Sequence, residues 1–189
     1  MSLPRLFKTQ LDTIPATSSY LYADQERIAS WRARLNTDHF KVGICWQGSN
    51  FGRSFPLSLY EGLSRVRDVE LISLQKGEGE NQIENINFDL TTLGANFDAS
   101  DHAFVDTAAV MMLCDLIITC DTAVAHLAGA LGCRTWIVHK SVPDWRWMLN
   151  LADSPWYPTM SLYRQKKSGD WASAFDAIEH DMRLLINRK

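Results

Sequence analysis

Asp121, Thr122, Ala123 and His126 are the residues whose types and spacing could do chemistry; they stand in the string DTAVAHLAGALG (121–132). An apolar run, Asp115-Leu116-Ile117-Ile118-Thr119, leads straight into them. The pattern predicts a strand that stops at a polar turn, with a helix beginning there. The first turn of a helix offers unpaired backbone N–H groups and the positive end of the helix dipole. That combination binds anions, phosphate above all. His126 lies four residues after Thr122 and shares its helix face. Its N–H, or its cationic form, could meet a phosphate oxygen, although a lone helical histidine is often an ordinary core or surface residue. Thr122 could equally act only as a helix cap. Asp121 is a poor neighbour for phosphate because like charges repel. It is expected to fix the turn or to hold ligand hydroxyls.

The elements that must position these groups follow an α/β alternation. Strands are predicted at Lys41–Trp46, Val69–Leu74, Leu116–Thr119 and Thr135–His139, with a short one at Thr91–Leu93. Helical spacing covers Ala23–Leu35, Pro56–Val66, Phe104–Cys114, Thr122–Leu131 and Asp170–Asn187. Strands separated by helices require crossovers. The expectation is therefore an α/β fold, a Rossmann-like parallel sheet flanked by helices. Residues 38–189 would form that domain, and residues 1–37 an N-terminal arm and helix.

In such sheets, ligands bind beyond the carboxyl ends of the strands. The loops there read Gln47-Gly48-Ser49-Asn50-Phe51-Gly52-Arg53-Ser54, Gln75-Lys76-Gly77-Glu78, Asp121-Thr122-Ala123, and Lys140 through Trp147. They are expected to share one rim and to gather Arg53, Lys76, Lys140 and Arg146. In a chain of net charge −3, cations concentrated at one rim suggest an anionic ligand. The aromatic group Trp145, Trp147, Trp156 and Tyr157 could stack on a base or sugar, or could pack the segment onto the sheet.

Composition excludes several classes. The 189 residues, 46% hydrophobic and 22% charged, suit one well-cored domain. The negative net charge argues against a general nucleic-acid or membrane-surface binder. No 18-residue apolar run exists to span a membrane, and the first residues lack a secretory apolar core. Cys45, Cys114, Cys120 and Cys133 form no C-x-x-C pair and read as reduced thiols, which points to the cytoplasm. G-x-G-x-x-G, the P-loop and G-x-S-x-G are all absent, arguing against a nicotinamide or flavin site, a P-loop NTPase and a serine hydrolase. The five histidines (39, 102, 126, 139, 180) show no metal-ligand spacing.

Taken together, the motifs resemble a known family. DTAVAHLAGALG is followed by TWIVHKSVPDWRWMLNLADSPWYPTMSLYRQ and GDW, and preceded by VGICWQGS, RSFPLSLYEGL and ISLQKG. This series resembles the C-terminal domain of bacterial tetratricopeptide-repeat proteins with a glycosyltransferase-like region. That region is similar to the lipopolysaccharide heptosyltransferases and, more distantly, to O-linked N-acetylglucosamine transferases. The resemblance implies a GT-B fold, of which this chain is the C-terminal, donor-binding half. Residues 1–22 would then close a missing N-terminal half. It implies that Thr122, Ala123 and His126 face the donor diphosphate, His126 stabilising the leaving group. Asp121 would lie near the sugar, and Arg53 and Lys76 would neutralise phosphate. Gln47, Gly48 and Gln75 would complete the donor site. Asp101 and Asp106 are candidates for a nucleoside-contacting acid. The implied partners are a nucleotide sugar, the N-terminal GT-B domain and tetratricopeptide repeats, with no metal or cofactor. The alternative is a non-catalytic nucleotide-sugar-binding or scaffold module.

Overall fold

The computed structural model describes residues 3–49, 51–99 and 103–187. In chain order the elements are α1 (Leu3–Leu6), α2 (Gln25–Arg34), β1 (Phe40–Cys45), α3 (Glu61–Ser64), β2 (Val69–Ser73), α4 (Val105–Met111), β3 (Leu116–Cys120), α5 (Ala123–Leu131), β4 (Thr135–His139), β5 (Met160–Arg164) and α6 (Trp171–Ile186). The five strands pair in the order β2-β1-β3-β4-β5, and every pairing is parallel. Parallel strands are buried on both faces, which is why Val42, Ile44, Ile117 and Ile118 occur in near-continuous apolar runs.

Two layers cover the sheet. On one face α6 lays Ala174, Phe175, Ile178 and Met182 beside Val42, Ile44, Phe55, Tyr60 and Trp136. On the other, α2, α4 and α5 pack Trp31, Val110, Met111, Val124 and Ala128 against Cys45, Ile72 and Ile117. A smaller cluster of Ala125, Ile137, Trp147, Met160 and Leu162 closes the β4–β5 edge. Burying these side chains contributes about 1.5–3 kcal/mol for each large aliphatic or aromatic residue.

The helix ends follow from local chemistry. Asp24 caps α2 by accepting from the Arg27 N–H at 2.9 Å, and Asp170 caps α6 by accepting from Ser173 at 3.1 Å. Gly132 ends α5 in the left-handed region (φ 76°), which only glycine adopts freely.

Two expectations change. The strand foreseen at Thr91–Leu93 is only a single parallel bridge between Thr91 and Ile72; Thr91 adds two backbone bonds and the chain then turns away. The sheet's fifth strand is instead Met160–Arg164, a half-buried edge strand whose Ser161, Tyr163 and Arg164 dilute its apolar pattern. The helix expected over Pro56–Val66 breaks into a 3₁₀ turn, Leu57–Tyr60, and the one-turn α3. The N-terminal helix α2 packs onto the sheet domain. Ile28 and Trp31 share a core cluster with the sheet, and Arg27 and the Trp31 indole both donate to Asp106 on α4 (2.7 and 3.0 Å). No helix among the described residues is long and apolar enough to cross a membrane.

Candidate functional site

A cleft of about 630 Å³ opens beyond the carboxyl ends of β1, β2 and β3. That volume falls within the roughly 300–1,000 Å³ of small-ligand sites. Gln47, Gly48, Arg53, Gln75, Lys76, Asp121, Thr122, Ala123 and His126 all line it, as does Arg146. The sheet topology thus brings these residues, singled out from the sequence, to one cleft. Lys140, expected at the same rim, is exposed and does not line the cleft.

The start of α5 forms the floor. Thr122 precedes the helix with extended backbone (φ −135°, ψ 179°), and its side chain does not cap it. The Thr122 hydroxyl donates back to the Cys120 carbonyl at 3.5 Å. The capping role considered for Thr122 is therefore not taken, and the first-turn N–H groups keep no side-chain acceptor. Gly48 brings the β1 loop down onto this turn. A Cβ there would stand 2.6 Å from Thr122 Cγ2, so a larger residue would push the Thr122 side chain or the loop aside.

The β1 and β2 loops are pinned together by one buried amide. Gln75 Oε1 accepts from the N–H groups of Trp46 (3.1 Å) and Gln47 (3.0 Å). Its Nε2 donates to the carbonyls of Gln47 (2.9 Å) and Glu78 (2.7 Å). Gln75 therefore shapes the cleft wall with an amide already engaged. The Gln47 side chain is also held, its Oε1 accepting from Gln82 Nε2 at 2.9 Å.

The charges interlock. Arg53 reaches Asp121 at 3.2 Å and Asp144 at 3.5 Å, while Arg146 reaches Asp144 at 3.4 Å. Asp121 is 5% exposed, and its Oδ1 is buried without a protein partner. Lys76 has no acidic partner among the described residues and stands exposed on the rim. Of the two acids considered for nucleoside contact, Asp106 faces away from the cleft. It is buried and committed to Arg27, Trp31 and the Asp98 N–H. Asp101 lies outside the described residues. Asp98 lines the cleft, but its carboxylate caps α4, accepting from the Asp106 N–H at 2.8 Å and from the Thr107 hydroxyl.

His126 stacks on the fully buried Trp147, ring centroids 5.3 Å apart and planes at 19°. Its Nδ1 lies 3.0 Å from the Tyr157 hydroxyl. Burial, reinforced by Arg146 and opposed by Asp121 and Asp144, holds its pKa below the usual histidine range, which favours the uncharged ring. Of the two forms considered from the sequence, the neutral N–H and the cation, burial favours the neutral one. The packing role weighed for Trp147 is the one taken; Trp145 stays exposed and meets Trp156 edge-on at 5.8 Å. Sequence reasoning missed Tyr157 as a neighbour of His126, since 31 residues separate them. All four cysteines are free thiols. No metal-ligand cluster of His, Cys, Asp and Glu occurs among the described residues.

With this geometry in hand, the chain can be set beside known proteins. No protein-family description matches it. It is 27% identical over 193 residues to Protein FlbA of Caulobacter vibrioides, a match covering 96% of this chain and 31% of that protein. In structure it is similar to the glycosyl transferase family 9 protein of Veillonella parvula, with a TM-score of 0.68 at 11% identity. That match covers 92% of this chain and 56% of the other. The Escherichia coli ADP-heptose lipopolysaccharide heptosyltransferase II matches with a TM-score of 0.64 at 13% identity, covering 89% and 54%. The E. coli heptosyltransferase WaaC, solved with ADP-2-deoxy-2-fluoro heptose, matches with a TM-score of 0.59 at 13% identity, covering 90% and 52%. These likenesses establish the fold: an α/β, Rossmann-like domain of the kind found in GT-B glycosyltransferases. The chain spans about a third of the curated relative and about half of each of these solved structures.

Proposed function

We propose that this chain is the nucleotide-sugar donor-binding half of a GT-B glycosyltransferase, moving a sugar from a nucleoside diphosphate to an acceptor hydroxyl. One observation carries the reading. The uncapped start of α5, His126, Arg53, Arg146 and Lys76 all border a single cleft at the carboxyl edge of a parallel sheet. Sugar transfer leaves charge on the departing diphosphate, and a site that stabilises that charge accelerates the step. Thr122 and Ala123 would offer backbone N–H groups and the helix dipole. Neutral His126 would donate a hydrogen bond to a phosphate oxygen, and the two arginines and Lys76 would supply charge. On this reading these side chains perform the neutralisation, with no metal or cofactor. Asp121 Oδ1, buried and unpartnered, is the acceptor for a sugar hydroxyl.

A second reading, a nucleotide-sugar-binding module without its own transfer chemistry, is favoured by one feature. The carboxylates lining the cleft among the described residues, Asp98 and Asp121, are engaged in capping or ion pairing. Asp98 is committed to the start of α4, and Asp121 is held by Arg53 with only Oδ1 open, the atom assigned above to a sugar hydroxyl. Under the first reading, the base that deprotonates the acceptor comes from the N-terminal GT-B domain preceding this half.

Calorimetry with ADP, UDP and GDP tests the shared core of both. At least one should bind, and His126→Ala should weaken it by about tenfold, the equivalent of one hydrogen bond. No binding by any of the three, or unchanged affinity in the variant, overturns the assignment. Release of free sugar from the nucleotide sugar, or its transfer, separates the enzyme from the module.

A further inference from the structure

The string DSPWYP, which the proposed chemistry leaves unused, is built to aim one hydroxyl. Ser154 Oγ accepts from the N–H groups of both Trp156 and Tyr157, each at 3.2 Å. The Met160 N–H donates to the Tyr157 carbonyl at 3.0 Å, and the Ser154 N–H donates to the Met160 carbonyl at 3.0 Å. The turn is thereby closed at both ends, and Tyr157 projects from it onto α5. Gly129, one turn along from His126, makes that approach possible. A Cβ at Gly129 would stand 2.5 Å from the Tyr157 ring. The Tyr157 hydroxyl then meets His126 Nδ1 at 3.0 Å, while Trp147 holds the imidazole plane from its face.

A neutral imidazole carries one N–H, and its partner at one nitrogen decides which nitrogen that is. We infer that Tyr157 is a positioning residue whose hydroxyl donates to His126 Nδ1. It thereby keeps the proton on Nε2, so that an uncharged His126 presents a hydrogen-bond donor to an anion in the cleft. The inference rests on the anion-site reading for its purpose, but not for its geometry. The charged groups around His126 are Arg146 and Asp144 from the β4–β5 connection, Asp121 at the end of β3 and Arg53 from the β1 loop. Burial acts most strongly against an imidazolium there, Arg146 and Arg53 add to it, and Asp121 and Asp144 oppose it; the balance favours the uncharged ring, whose tautomer then decides which nitrogen is the donor. Tyr20 is the competitor: it lies beside the Tyr157 hydroxyl and could accept the same proton. The N-terminal arm holds it there through the N–H groups of Tyr20 and Leu21, both donating to the Ala130 carbonyl.

The test is the nitrogen-15 spectrum of histidine-labelled protein near pH 7.5, with His126 identified by its loss in His126→Gln. The wild type should show the Nε2–H form. Tyr157→Phe keeps the ring against Gly129 and should shift His126 to a mixture of tautomers. Tyr20→Phe removes the competitor and should leave the Nε2–H form at least as populated. A wild-type Nδ1–H form, or an unchanged tautomer in Tyr157→Phe, overturns the inference, whether or not any nucleotide binds. In calorimetry with the nucleoside diphosphate that binds, Tyr157→Phe should cost several-fold in affinity and add nothing in a His126→Ala background. A tautomer shift with no loss of affinity removes the role in anion binding.

Discussion

The two walls of the cleft are made by opposite means. On one side, α5 begins straight from β3 and offers the backbone of Thr122 and Ala123, with no side-chain cap. On the other, residues 140–159 have no strand or α-helix; they contribute the Arg146 side chain to the lining, with Asp144, Trp147 and Tyr157 supporting Arg146, Arg53 and His126 from behind. A helix start carries its partial charge through geometry alone. An irregular connection must hold its groups by contacts, and here nearly every group holds another. Asp144 receives both arginines, Trp147 supports His126, and Ser154 ties the turn that directs Tyr157. The regular wall should therefore tolerate side-chain changes that the irregular wall cannot.

Trp147→Ala should break the comparison hardest. The ring is 0% exposed and supports His126, so its loss should cost about 3–5 kcal/mol in urea denaturation. A cost below about 1 kcal/mol would show that the connection is held some other way.

Acid should act next, through His139 at the root of that connection. His139 is 1% exposed, and burial lowers its pKa to about 4 despite its bond to the Lys140 carbonyl. The folded protein resists the proton that the unfolded chain accepts near pH 6.5. Stability is therefore complete above about pH 6.5 and falls as pH drops toward 4, by roughly 3 kcal/mol in all. Denaturation midpoints across that window check the sign. Gln at position 139 should flatten the slope even though it lowers stability at neutral pH.

Arg53→Ala should come third. It removes a cation and also strips Asp121 of its partner. Nucleotide affinity should fall by about ten- to a hundredfold in calorimetry, as expected for a charge-assisted bond. Thr122→Val should have the smallest effect, within about 0.5 kcal/mol of wild type in both stability and affinity, because the wall works through its backbone. A large loss in Thr122→Val would erase the contrast between the walls.

The regular wall was also the legible one. The strand at 116–119, the helix from 122 and the placement of His126 on the Thr122 face follow from apolar periodicity alone. So does the gathering of Arg53, Lys76 and Asp121, because parallel topology sends every strand's carboxyl end to one edge. The pairings of those charges were not legible. Arg53 was read as a cation that neutralises phosphate, yet here it is paired with Asp121 and Asp144. Asp106 was one of two candidates for a nucleoside-contacting acid, yet it ties α4 to α2. Both depend on which side chains meet across the fold, and one-dimensional spacing does not carry that. β5 escaped for a related reason: five residues of an edge strand, polar on one side, look like any loop. Gly129 was the missed clue, since a glycine inside a helix weakens it unless something must come close. Here that something is the Tyr157 ring.

The helix α6 has a consequence beyond the cleft. Its Phe175, Ile178 and Met182 complete one whole face of the sheet, packing with Phe55, Tyr60 and Trp136, which precede it by dozens of residues. During synthesis, every strand has therefore left the ribosome before that face has its cover. For that interval Val42, Ile44 and Trp136 border open water, and the nascent chain is one that chaperones can see. The emergence of α6 sets the moment at which that face is closed to them.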